Sequence, residues 1–78
     1  MTRYYFDLRD DDGLVVDDEG VELADVDAVQ KEATQAMVDA ARETLQRPVR
    51  SGETVIEVRD DDGHVMRARF AIDIERKS

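Results

Sequence analysis

Three short runs of carboxylates are the residues whose type and spacing could do chemistry: Asp10-Asp11-Asp12, Asp17-Asp18-Glu19 and Asp60-Asp61-Asp62. Hard cations such as calcium are held by several carboxylate oxygens, so each run invites a metal reading. The spacing denies the helix-loop-helix calcium motif. With Gly13 or Gly63 as the sixth loop position, the first ligand position falls on Leu8 or Val58, neither of which can ligate. The runs therefore read as solvated turns in which Asp oxygens bond backbone amides, and no metal ligand is assigned. Acid-base or nucleophilic catalysis has equally little to work with. The single imidazole, His64, falls at an exposed hairpin end, there is no cysteine, and Ser51 and Ser78 are placed in a loop and at the terminus. No catalytic residue and no cofactor motif is assigned, and the chain is expected not to be an enzyme.

The elements that position these residues are easier to read. Arg9-Asp10-Asp11-Asp12-Gly13 recurs as Arg59-Asp60-Asp61-Asp62-Gly63, each copy between two segments that alternate apolar and polar residues. Asp opening a type I turn, with Gly at the fourth position taking positive φ, predicts a three-residue hairpin loop closed by a glycine bulge. In that register Asp10 opposes Leu14 and Leu8 opposes Val16, so Tyr4, Phe6, Leu8, Leu14 and Val16 share one face. The second copy pairs Asp60 with His64, Val58 with Met66, Ile56 with Ala68 and Thr54 with Phe70. Between the hairpins, Asp25 caps a helix expected over 26–46, whose stripe of Val26, Val29, Ala33, Ala36, Met37, Ala40, Thr44 and Leu45 should cover the sheet. Pro48 should stop it, with 48–52 as the return loop. The expectation is one α+β domain spanning 1–78. Its order is β-β-α-β-β (hairpin 3–18, helix 26–46, hairpin 53–75), giving an antiparallel-rich four-stranded sheet with the helix on one face.

The opposite sheet face then gathers arginine. It is expected to carry Arg3, Tyr5, Asp7, Arg9, Val15, Glu57, Arg59, Val65, Arg67, Arg69 and Asp73. One reading is a solvated surface of cross-strand ion pairs, such as Glu57 with Arg67. The other is a partner-binding strip of Tyr5, Val15, Val55, Val65 and Ala71 rimmed by Arg9, Arg59, Arg67 and Arg69, suited to a second copy of the chain or to an acidic partner.

Composition narrows the classes. Seventy-eight residues with 41% hydrophobic content can form a thin core, and 40% charged residues leave most other positions solvated. A net charge of -9 repels polyanions, so direct nucleic-acid binding is not expected, and one Tyr without a neighbouring Trp makes a poor base-stacking platform. No apolar run reaches the ~18 residues of a membrane span, and the opening seven residues lack the pattern of a secretion signal. The expected compartment is the cytoplasm, with a homo-oligomer or a protein partner and no membrane.

Arg3-Tyr4-Tyr5-Phe6, the run Asp17-Asp18-Glu19-Gly20-Val21-Glu22-Leu23 leading into Asp25 and an Ala-rich helix, and Gly52-Glu53 before the last hairpin resemble a family of short uncharacterised proteins of rhizobia and related alphaproteobacteria. The resemblance spans nearly the whole chain and implies a shared fold; the family carries no established activity. Ala24 stands where that family tends to have Pro, and Ser51 and Val55 where it often has Trp. A looser analogy is to HicB-type antitoxins, which also open on a Tyr-Tyr strand and a Gly hairpin before an acidic helix. Their Pro-Asp-x-Pro-Gly stretch is missing here. From these readings the chain is expected to be a noncatalytic interaction or regulatory module that self-associates through either the open sheet face or an edge strand. The alternative is an antitoxin-like or polyanion-mimicking protein acting on nucleic-acid-binding partners.

Overall fold

The computed structural model describes residues 1–46 and 51–77. Along the chain these form β1 (Thr2–Asp10), β2 (Gly13–Val15), β3 (Val21–Leu23), α1 (Val26–Thr44), β4 (Ser51–Asp60) and β5 (Gly63–Asp73). All pairings are antiparallel, in the order β2-β1-β4-β5, with β3 also pairing β1. The sheet thus has five strands rather than the four expected. The added one is β3, where the chain returns to the start of β1 and aligns Val21 with Tyr4 and Leu23 with Thr2.

Both Asp-Gly turns use the local chemistry that their residues dictate. Asp10 Oδ1 accepts the amide hydrogen of Asp12 at 2.8 Å, Asp60 Oδ1 accepts that of Asp62 at 2.8 Å, and Gly13 and Gly63 take φ values of +139° and +121°. The loop is one residue shorter than expected, because Asp10 pairs with Gly13 and Asp60 with Gly63. In the second hairpin an irregularity beyond Arg59↔His64 inserts Val65 as the unmatched residue. The expected pairs Val58↔Met66, Ile56↔Ala68 and Thr54↔Phe70 are thereby restored. β2 ends after three residues with no such correction. Val15, not Val16, therefore opposes Leu8, and Leu14 opposes Arg9. A one-residue change of register exchanges the faces, so Val15 moves to the helix side and Leu14 leaves it.

Asp25 caps α1 as its position suggests, in extended backbone with Oδ1 accepting the Ala28 amide hydrogen at 2.8 Å. Val29 and Ala33 project from the first half of the helix onto Tyr4, Ile56 and Val58, and these five residues form the core, with Phe6, Leu8, Leu23 and Met66 packed around them. Ala33 lets the helix axis approach the strands closely. Val26 and Leu45, expected beneath the helix, are exposed because they stand at its two ends, where the stripe overhangs the sheet. Pro48 as the helix stop, with the loop residues up to 50, lies outside the described residues; Ser51 and Gly52, expected in that loop, already belong to β4. No helix among the described residues is long and apolar enough to cross a membrane.

Candidate functional site

On the face away from α1, cross-strand register brings the charged side chains into a lattice. Glu57 lies opposite Arg67 on β5 and diagonally from Arg9 on β1; its Oε1 is 2.8 Å from Arg67 Nη2 and 3.9 Å from Arg9 Nη2. Arg69 reaches Glu53 at 2.9 Å. Arg59 is held most completely. Its Nε donates to Asp7 Oδ2 at 2.9 Å, its Nη2 donates to the Asp17 carbonyl at 2.9 Å, and its guanidinium carbon lies 4.5 Å from the centre of the Tyr5 ring directly opposite on β1.

Asp17 completes that cluster. Its amide donates to Asp7 Oδ1 at 2.9 Å, its Oδ2 accepts from the Phe6 amide at 3.0 Å, and its Oδ1 accepts from the amides of Glu19 and Gly20, each at 3.1 Å. The Arg59 hydrogen bond holds the Asp7 carboxyl below the usual aspartate range against the partial burial that raises it. At Asp17 burial is the largest single influence and pushes upward. The amides of Phe6, Gly20 and Glu19, joined by the Arg59 charge, outweigh it and leave this carboxyl below the ordinary range as well. Asp7 in turn raises Arg59 above its ordinary value. Every charge in the cluster has a fixed role, which is the arrangement of a structural clasp.

The residues expected to bind a partner do not form one surface. Arg9, Arg67 and Arg69 are exposed on the open face, where each already meets a glutamate. Tyr5 and Arg59 are stacked together in the clasp. Val55 is only 2% exposed, flanked by Arg9 and Arg69, whose aliphatic stems can cover apolar surface. Val15 lies on the helix side, beside Leu8, Ala40 and Thr44. Val65, the unmatched residue in β5, packs against the core cluster. The apolar strip drawn from strict alternation is therefore broken at Val15, Val55 and Val65, and what remains on the face is a charge lattice.

A different apolar surface lies between the second half of α1 and β5. Met37, Val38 and Ala41 on the helix, Leu45 at its C-terminal cap and Phe70 on the strand line a groove of about 550 Å³, with Arg42 and Gln46 also lining it. The groove exists because the residues that grip the sheet, Val29 and Ala33, are in the first half of the helix, and the second half is held less closely. It adjoins the outer strand of the sheet, since β5 pairs β4 on one side and no strand on the other among the described residues. Helical periodicity could not show this groove: it assigns Met37 and Leu45 to a covered stripe and cannot say where the cover ends.

His64 is exposed beside the second turn, opposite Arg59 in the ladder. Among the described residues, no group of three or more His, Asp or Glu side chains converges as a metal would require. No curated protein and no solved structure matches the chain. A family model described as a domain of unknown function (DUF6894) matches residues 3–71, nearly the full length of the fold just described, and the chain belongs to that family.

Proposed function

We propose that this chain is a noncatalytic interaction module that acts by self-association, and that it uses the outer edge of β5 with the adjoining groove rather than the open sheet face. The observation that carries the reading is the coincidence of those two features. β5 runs for eleven residues, about twice the common strand length, and no strand among the described residues pairs its outer side. Beside it lie Val38 and Leu45, 45% and 48% exposed, with Met37 and Phe70 between them. An apolar groove next to an open strand edge is a surface that association would cover. The open face is less suited, because its arginines are already paired within the chain.

Sedimentation equilibrium of the full chain tests the reading. A dimer at tens of micromolar supports it, and a monomer over that range overturns it. The alternative, an antitoxin-like or polyanion-mimicking protein, would use the Asp runs. β1 and β4 are antiparallel, with Arg9 beside Val55 and Tyr5 beside Arg59, so the turns at Asp10–Asp12 and Asp60–Asp62 lie at opposite ends of the paired strands instead of forming one anionic row. This separation favours self-association. Pull-down with a basic DNA-binding protein and gel shifts with RNA would revive the alternative if either gave salt-sensitive binding. The cytoplasm is the compartment we propose from composition, and fractionation of the source cells checks it.

A further inference from the structure

Resting on that self-association, we propose its register: two copies join β5 to β5 in antiparallel fashion about a two-fold axis at Phe70, forming one continuous sheet with both helices on the same side. A two-fold interface must be complementary to itself, so each trial axis fixes a complete set of cross-strand pairs. With the axis at Phe70, Arg67 lies opposite the partner's Asp73, Arg69 opposite the partner's Ala71, and Ala68 opposite the partner's Ile72. All seven residues from 67 to 73 lie within β5. Arg67, Arg69, Ala71 and Asp73 belong to the open face, since they pair with Glu57, Val55, Glu53 and Ser51. Ala68, Phe70 and Ile72 lie on the helix side.

Charge, together with the irregularity and the end of β5, selects this register. An axis at Arg69 stacks that arginine on its own copy, and one at Ala68 sets Arg67 against Arg69, both like-charge contacts across the ladder. An axis at Met66 avoids the clash but runs the pairing through the irregularity at Val65, where the ladder is broken. An axis at Ala71 pairs Arg69 with Asp73 but carries the ladder into Ile74 and Glu75, beyond the end of β5. At Phe70, Asp73 gains a cation. It is exposed and has no ion pair among the described residues, while Arg67 keeps Glu57 and presents its outer side to the neighbour. The same axis brings the two grooves together, because Phe70 is the one β5 residue that lines each of them. Val38 and Leu45 of each copy then lose their exposure to water, while the strand edges exchange hydrogen bonds.

Charge reversal in the full chain tests the register. R67D alone places two like-charge pairs in the dimer, and so does D73R alone. Each is expected to weaken self-association about tenfold by sedimentation. An equimolar mixture of the two variants restores both opposite-charge pairs in the heterodimer and should return affinity to within about threefold of the parent. R69D, facing only Ala71, should change it less than about threefold. A dimeric parent whose reversed variants are not rescued by mixing overturns the Phe70 register and leaves self-association standing; a monomeric parent overturns both. Circular dichroism reports whether each variant folds. If either reversal does not, R67Q and D73N read the same contact, each expected to weaken the dimer about threefold, and no change in either overturns the register.

Discussion

Asp17 Oδ2 accepts the amide hydrogen of Phe6 at 3.0 Å, in the stretch of the β1 edge that neither β2 nor β3 pairs. β2 covers Leu8 to Asp10 and β3 covers Thr2 to Tyr4, so one side chain does there what a strand would do elsewhere. The reciprocal bond from the Asp17 amide to Asp7, and the Arg59 bonds to both residues, tie the β2-β3 corner to β4.

Removing that carboxylate leaves the amides of Phe6, Glu19 and Gly20 without their acceptor in a half-buried corner. D17A is therefore expected to lower stability by about 2 kcal/mol. D17N keeps one carbonyl oxygen and should fall between D17A and the parent, while D18A, at an exposed position, should stay within about 0.5 kcal/mol. Urea unfolding of the four proteins checks the order.

Acid should release the same clasp. Asp7 and Asp17 are both held below the ordinary aspartate range in the folded chain, so folding favours their ionised forms. Their contribution is complete above the unfolded value of about 3.9 and is lost as pH falls through the lower folded values. Thermal unfolding between about pH 7 and pH 2.5 should show the midpoint dropping below about pH 4. D7N and D17N should start from a lower plateau and fall less steeply; a double variant with the parent's slope would show that other carboxylates govern acid unfolding.

Gly20 closes the corner at φ +71°, and a Cβ there would meet the Tyr4 carbonyl oxygen and Tyr5 Cε1 at 2.9 Å and Arg3 Cγ at 3.0 Å. Backbone strain and steric contact add, and G20A is expected to cost about 2 to 3 kcal/mol. At Gly13 a Cβ would find nothing within 4 Å, but φ +139° lies beyond the left-handed region that L side chains enter, so G13A should cost about 1 to 3 kcal/mol through the backbone alone. Melting temperatures of the two variants decide whether the contact with Tyr4 or the dihedral alone sets the loss.

The sequence by itself determined what depends on neighbours along the chain. Asp25 as a helix cap, the Asp-to-amide bonds inside both turns, positive φ at Gly13 and Gly63, and the alternation that sends Ile56 inward and Glu57 outward all follow from spacings of a few residues. Tertiary structure decided the rest. Val15 lies on the helix side because β2 stops before any bulge can correct its register, and Val65 joins the core packing as the residue that makes that correction in β5. Asp17 could be read as a turn former from Gly20 three residues later, but its reach to Phe6 and its link to Arg59, 42 residues away, exist only once β1 and β4 are paired. The groove beside β5 likewise depends on where the helix grips the sheet. Periodicity tells which side of an element is apolar, and only the packed partner decides how much of that side is covered.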